Sequence, residues 1–319
     1  MRRSSVGMAL VAATLASSAL AQDYPTRPIR FLQGFAPGGN ADAISRVLAD
    51  ELSKGFGQPV TVEARPGAGG NLASAEVAKA APDGYTLVLI TTGHVISAAL
   101  YKSLSFDSIN DFQFLTTVSE LPFFVVVNAS KSPYKTMSEL VAAAKAKPGM
   151  TYGTAGVGTG QHLSTALLNS MIAAQLVHVP YRGDSGAVTG LLSGDIDFIL
   201  APLPAIIGNI QAGTFRALGT TAARPWPVMP DVPTIASVVP NYEVMAWTGV
   251  ATTRGVPKPV VDKLNTELRR VLALPQVEKK LREFGGEPAS STPDEVTAKV
   301  KAQVARWNKV IDEANIPRQ

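Results

Sequence analysis

Short apolar, β-branched runs alternate along this chain with segments of helical period, a pattern that restricts it to a mostly parallel sheet covered by helices. The runs are Ile29 to Phe35, Val60 to Glu63, Thr86 to Ile90, Phe123 to Asn128, Met150 to Thr154, Leu176 to Tyr181, Phe198 to Leu200, Phe215 to Thr220 and Val244 to Ala251. Between the first two, Ile44, Val47, Leu48 and Leu52 make one helical stripe, with Gly55 expected as its C-terminal breaker. The C-terminal part is helical, over Val260 to Leu274 and Gln276 to Phe284. A last helix opens at Thr292-Pro293-Asp294-Glu295, which supplies a cap, a proline at the first helical position and a capping-box Glu. Its stripe of Val296, Val300, Val304, Trp307 and Ile311 reads as core packing. The proline-dense segment Arg224 to Pro233 reads as a long surface connection.

A chain of 319 residues with 46% apolar content can bury a sizeable core, and at this length it divides into lobes of about 100 to 200 residues. Phe123 to Val127 and Val244 to Val250 are the expected crossings between lobes, because they split the chain into comparable parts and are strand-like in composition. A chain that leaves one lobe and later returns needs two such crossings, and they form its hinge. The expected division is a leader at residues 1–21, a discontinuous lobe 1 at residues 22–124 plus 248–319, and lobe 2 at residues 125–247.

The leader is read from Arg2 and Arg3, an uncharged and mostly apolar run from Val6 to Leu20, and Ala19-Leu20-Ala21, the small-x-small form cut by signal peptidase. The run is shorter than the ~20 residues a membrane-spanning helix needs. Cleavage after Ala21 places the mature chain, starting at Gln22, in the periplasm. The chain has no Cys, so disulfides, thiolate chemistry and a lipidated cysteine are excluded. Its 29 Lys and Arg against 25 Asp and Glu give a net charge of +4, which falls by two when Arg2 and Arg3 leave. No basic run is dense enough to track a phosphate backbone, so nucleic acid is not an expected partner.

The strongest local signal is Phe35-Ala36-Pro37-Gly38-Gly39-Asn40-Ala41-Asp42, between the first strand and the first helix. Asn40 is suited to cap that helix, the glycines let the backbone turn, and the free N–H groups of the first helical turn attract anions such as carboxylates. A second such element, Thr154-Ala155-Gly156-Val157-Gly158-Thr159-Gly160-Gln161-His162, falls in the other expected lobe. Two glycine-rich helix entries could grip one small anion from both sides, through Phe35, Ala36, Gly38, Gly39, Asn40, Ala41 and Asp42 on one and Thr154, Gly156, Gly158, Thr159 and His162 on the other. Gln161 breaks the dinucleotide glycine pattern and no phosphate-loop Lys follows, so no nucleotide cofactor is expected.

Three further segments complete the expected lining: Thr91 to His94 with Thr92 and His94, Pro180 to Asp184 with Tyr181 and Arg182, and Gly194 to Asp197 with Asp197. Loops that follow the carboxyl ends of strands are where open α/β sheets bind ligands. Arg182 could fork a carboxylate, Tyr181 could offer a ring face, and Thr92 or His94 could hydrogen-bond a polar end. Ordinary structural roles stay open to each: solvated loop charge for Arg182, packing for Tyr181, and capping or core imidazoles for His94 and His162. Ser185, within Gly183-Asp184-Ser185-Gly186, invites a hydrolase reading, but Ala187 leaves the nucleophile elbow incomplete. No His pair has metal-ligand spacing, so binding is favoured over turnover.

Taken together, the motifs resemble the extracytoplasmic receptors of tripartite tricarboxylate transporters, the Bug or TctC-like family. The resemblance runs through Tyr24-Pro25-Thr26-Arg27-Pro28-Ile29, Phe35-Ala36-Pro37-Gly38-Gly39, Glu63-Ala64-Arg65-Pro66-Gly67-Ala68-Gly69-Gly70, Ala81-Pro82-Asp83-Gly84-Tyr85-Thr86, His162-Leu163 and Val179-Pro180-Tyr181-Arg182-Gly183, in this order. It implies a type II periplasmic-binding fold, two α/β lobes joined by hinge strands with a ligand cleft between. It also implies a receptor for a small carboxylate, with the glycine loops of both lobes holding it partly through ordered water; delivery of one ligand to one transporter requires no more than a monomer. The implied partners are the large and small membrane subunits of a transporter, and a sensor feeding a two-component system is the alternative on the same fold. Many relatives place Ser or Thr between the glycine pair and the Asp; this chain has Asn40-Ala41, which leaves Asn40 to replace the hydroxyl contact.

Overall fold

The computed structural model describes residues 24–313 and 316–319; the leader expected at residues 1–21 and the cleavage after Ala21 lie outside the described residues. Strand β1 (Ile29–Gln33) lies between β2 (Val60–Ala64) and β3 (Thr86–Thr91), all parallel. The long β4 (Phe112–Asn128) changes partner midway. Its first half, to Pro122, runs antiparallel to β9 (Met245–Thr253), which also pairs with β3. From Phe123 onward β4 pairs antiparallel with β7 (Phe198–Pro202) and β8 (Phe215–Thr220). Beyond β7 follow β5 (Thr151–Thr154) and β6 (Val177–Pro180), parallel to one another and to β7. A short β10 (Glu287–Pro288) closes on β4. The sheet is therefore parallel at both ends and antiparallel at the seam where β4 and β9 join the two lobes.

The first half of β4 escapes a period-2 reading for a visible reason. Register shifts between Phe114 and Thr116 and between Thr117 and Ser119 interrupt the alternation, and each bulge turns the following side chains to the other face. The buried polar groups this brings inside are paired: Thr117 N–H donates to Ser291 Oγ at 2.9 Å, and the Ser119 and Thr248 hydroxyls meet at 2.9 Å.

Helices α1 (Asn40–Phe56), α2 (Asn71–Ala78) and α3 (Thr92–Leu100) follow β1, β2 and β3. The second lobe carries α4 (Met137–Ala146), α5 (Gly160–Met171), α6 (Asp184–Ser193) and α7 (Leu203–Gln211). Helices α8 (Lys258–Leu272), α9 (Pro275–Glu283) and α10 (Pro293–Glu313) end the chain. The start and stop of α1 both differ from the sequence expectation. Gly57, not Gly55, is its C-terminal stop, in the left-handed region at φ 64° with its N–H on Ser53 O at 3.0 Å, where a glycine pays no Cβ penalty. Asn40 is the first helical residue instead of the cap; extended Gly39 is the cap and no side chain caps this end.

The capping box of α10 forms as expected, with Thr292 N–H donating to Glu295 Oε2 at 2.8 Å and Glu295 N–H to Thr292 Oγ1 at 3.3 Å. Val296, Val300, Trp307 and Ile311 are buried, and Val304 packs partly buried beside them. The Arg224 to Pro233 connection is not purely superficial. Trp226 and Val232 are buried in it, and the Trp226 indole N–H donates to Gly285 O at 3.0 Å, which pins the connection to the first lobe.

Candidate functional site

Four helices begin on one cavity. Gly39, Asn40 and Ala41 open α1; Thr91, Thr92 and Gly93 open α3; Thr159, Gly160 and Gln161 open α5; Gly183, Asp184 and Ser185 open α6, and all of them line it. Each helix follows the carboxyl end of a strand, β1, β3, β5 and β6 in turn, so two starts come from each lobe. The floor is the seam itself: Leu121 and Phe123 of β4, and Ala246, Trp247 and Thr248 of β9. The cavity has a volume of about 80 Å³.

The first turn of a helix has N–H groups without intrahelical acceptors and carries about half a positive charge. At α1 the Asn40 and Ala41 N–H groups have no protein acceptor, because Gly39 offers no side chain to cap them. The turn before it is held from behind by buried Asp42, whose Oδ2 accepts the Gly38 N–H at 3.1 Å and Arg46 Nε at 2.9 Å. Burial opposes ionisation of Asp42, but the hydrogen bonds from Arg46 and Gly38 outweigh it and keep its carboxyl below the ordinary range. Gln33 braces the same loop, its Oε1 accepting the Phe35 N–H at 2.8 Å.

Across the cleft, the Thr159 side chain caps α5 by accepting the His162 N–H at 3.3 Å and donates to Gly156 O at 2.7 Å. The Thr92 hydroxyl is likewise committed: it accepts the Trp247 N–H at 2.9 Å and donates to Trp247 O at 3.4 Å, so Thr92 positions the indole that forms the floor. Asp184 differs from all of these. It is the sole acidic or basic side chain among the lining residues, and it receives one hydrogen bond, from Gln161 Nε2 to Oδ1 at 2.6 Å. Burial pushes its carboxyl up to about 6, against the smaller opposing effect of Gln161.

Of the residues expected from sequence, Phe35, Ala36, Gly39, Asn40, Ala41, Thr92 and Thr159 meet in this cavity. Gly156, Tyr181 and Arg182 line a wider outer groove of about 610 Å³ that shares Phe35 and Ala36 with it. Arg182 is exposed there and makes no ion pair, while the Tyr181 ring lies against Gly153, Gly186 and Gly190. Gly38, Asp42, His94, Thr154, Gly158, His162 and Asp197 line neither space. Gly38 and Asp42 shape the turn. Gly158 sits against the Tyr101 ring, and exposed Asp197 holds β5 through the Thr151 N–H and hydroxyl at 2.7 and 2.8 Å.

The histidines are structural. His94 donates from Nε2 to Ser108 O at 2.8 Å, meets the Ser74 hydroxyl at 3.1 Å and stacks on Phe106. His162 accepts the Gly158 N–H at 3.3 Å and stacks on His178 with ring centres 4.1 Å apart, and His178 bonds the Thr154 hydroxyl at 2.7 Å. With all three so engaged, exposed Ser185 has no imidazole partner, and the hydrolase reading finds no base. Among the described residues no cluster of His, Asp and Glu is placed to hold a metal ion, and no helix is long and apolar enough to cross a membrane.

Sequence reasoning missed Phe123 and Trp247 as lining residues, and it gave Gln161 and Asp184 no role of their own although both fall in segments expected at the cleft. Asp184 and Gln161 were legible in principle, since each falls within two residues of a helix cap, where a side chain faces whatever the helix start faces. Phe123 and Trp247 lie on the two expected crossings, and a cleft between lobes must rest on the strands that join them. The lobes meet closely above the cavity: a Cβ placed on Gly69 would stand 2.9 Å from Val157 O, and one on Gly183 would stand 3.5 Å from Ala36 Cβ.

A two-lobed sheet crossed by shared strands, with helix starts converging on the cleft between lobes, is the architecture of the periplasmic solute-binding receptors. The chain belongs to the tripartite tricarboxylate transporter receptor family, whose model matches residues 44–316. It is 37% identical over 316 residues to the UPF0065 protein in the tcbD-tcbE intergenic region of Pseudomonas sp. strain P51, covering 98% of this chain and 94% of the other. Among solved structures it is similar to R. palustris Rpa4515 with adipate, at TM-score 0.88 and 34% identity over 92% of this chain and 99% of that one. It is also similar to the periplasmic binding protein BugD, at TM-score 0.88 and 30% identity over 93% and 100% of the two chains.

Proposed function

We propose that this protein is an extracytoplasmic receptor that binds a small carboxylate-bearing solute in the cavity between its lobes and delivers it to the membrane subunits of a tripartite tricarboxylate-type transporter. The observation that carries this reading is the convergence of four helix starts on a cavity lined by no Lys, Arg or His. Backbone N–H groups and helix dipoles then supply the positive potential, and the adipate in the similar R. palustris structure fits the same chemistry. The proposed lobes are residues 22–124 plus 248–319 and residues 125–247, hinged on β4 and β9, with the mature chain beginning at Gln22 in the periplasm. Contacts to both lobes make closure follow from binding, because only a ligand with higher affinity for the closed state shifts the equilibrium toward it. The direct test is a thermal-shift screen of the mature protein against aliphatic and aromatic carboxylates and amino acids. A ligand at 100 times its Kd adds about 2.7 kcal/mol of stability; no shift from any carboxylate, with folding verified by circular dichroism, would sink the proposal.

Closure has its own test at Gly69, whose φ of 65° is one that Asn tolerates better than other side chains. Gly69→Asn therefore leaves the first lobe nearly unstrained but sets a β-carbon 2.9 Å from the Val157 carbonyl across the cleft. Overpacking of this kind costs about 1–3 kcal/mol. The expected result is a melting temperature close to wild type without ligand and an affinity lowered roughly 5- to 150-fold, read by calorimetric titration. Wild-type affinity in this variant would mean that the two loops do not approach in the bound state.

A further inference from the structure

We infer that Asp184 makes this receptor select a carboxylate that also bears an ammonium group, such as an amino acid, over one that bears a second carboxylate or no second polar group. The inference rests on the carboxylate reading above and sharpens it. Asp184 Oδ2 faces across the cleft toward the start of α1, 3.8 Å from where a β-carbon on Gly39 would stand. Its Oδ1 accepts from Gln161, while Oδ2 has no protein partner. Beside Gly39, the Asn40 Oδ1 atom is a second acceptor, buried and unpartnered. Asn40 Oδ1 is a buried acceptor without a donor, which is costly; Asp184 is partly buried, and no lining side chain carries a positive charge to answer its carboxylate.

The positive helix starts provide for the ligand's carboxylate, but Asp184 and Asn40 present oxygen lone pairs that only a donor group satisfies. An ammonium answers both, since it offers three N–H donors and a full charge. A second ligand carboxylate at the same place meets a like charge at short range, and two carboxylates so placed cannot both stay ionised. Burial already holds the Asp184 carboxyl up to about 6, so a further anion beside it is disfavoured and a cation is welcomed. The remaining surface, Leu121, Phe123, Pro202, Ala246 and the Trp247 ring, suits a carbon skeleton.

Calorimetric titration of the mature protein at pH 7.5 with two matched pairs tests this. In γ-aminobutyrate against glutarate the ammonium replaces a carboxylate; in norvaline against pentanoate it is added at the α-carbon. The expected result is that the ammonium compound of at least one pair binds tenfold or more tightly than its match. In Asp184→Asn, which keeps the shape and an acceptor for Gln161, that preference is expected to fall below threefold, with ligand-free melting as the check on folding. Tighter binding of the match in both pairs of the wild type, or an unchanged preference in Asp184→Asn, overturns the role of Asp184 while leaving the carboxylate receptor standing. Binding of neither member of either pair, together with no response to any carboxylate in the broader screen, overturns both.

Discussion

Trp247→Ala is expected to lower the free energy of unfolding by about 3–5 kcal/mol and to weaken ligand binding at the same time. Trp247 is 2% exposed, sits on β9 at the seam between lobes and packs into the largest buried cluster. Its backbone N–H and carbonyl are both clamped by the Thr92 hydroxyl, and Lys299 Nζ lies 5.5 Å from the ring centre, held in turn by Glu120. Truncation removes dispersion contacts that nothing else can replace and opens the cavity floor below Phe123 and Thr248. Urea unfolding reads the first effect as a shifted midpoint at constant slope, and calorimetric titration reads the second. Trp247→Phe, which keeps an aromatic floor, should recover most of the stability. A loss under about 1 kcal/mol in Trp247→Ala would show that the seam repacks and that the indole does not organise the site.

Acid is expected to destabilise the fold well before most of its carboxylates protonate. Burial holds His94 and His162 down to about 4 and His178 down to about 3, the last also disfavoured by its stack on His162. In the unfolded chain each returns to about 6.5, so unfolding takes up protons below that pH. The stability these imidazoles confer is complete above about pH 6.5 and declines as pH falls toward 4. Asp184 acts in the opposite sense: its native value of about 6 lies above the unfolded value, so the native state binds its proton first. Between those limits it offsets one of the three imidazoles. A net uptake of roughly two protons makes stability fall by a few kcal/mol between pH 6 and pH 4. Hydrogen bonds from Arg30 hold Glu63 and Glu76 below the ordinary range and add sensitivity of the same sign at lower pH. Urea midpoints at pH 7.5, 6 and 5 measure the fall, and a flat profile to pH 5 would mean the imidazoles already carry their protons in the folded state.

Legibility varied with how local the physics was. The strand, glycine-turn, helix unit around Phe35 to Leu52 was readable because periodicity and turn chemistry act within a few residues, and so was the capping box at Thr292 and Glu295. The exact helix start was not. Asn40 has the side chain of a cap, but Gly39 adopts the extended conformation that caps require, and Asn40 enters the helix with its carbonyl turned to a buried place. His94 and His162 looked like possible ligand contacts because an imidazole on a helix next to a glycine turn can face either way. Neighbours distant in sequence, Ser108 for one and His178 for the other, decided that both are core groups.

What the sequence by itself determined was the chemistry of two helix entries. The glycines of Phe35 to Asp42 and the glycines and hydroxyls of Thr154 to His162 specify where free N–H groups appear, and that is short-range backbone chemistry. Only the tertiary structure decided that these entries share one cavity with the helix starts at Thr92 and Asp184, that Trp247 closes it from below, and that Asp184 is its lone charge. The residues concerned lie between positions 39 and 248, and contacts over such separations come from sheet order and from the two strands that cross between lobes, neither of which leaves a periodic trace in the chain.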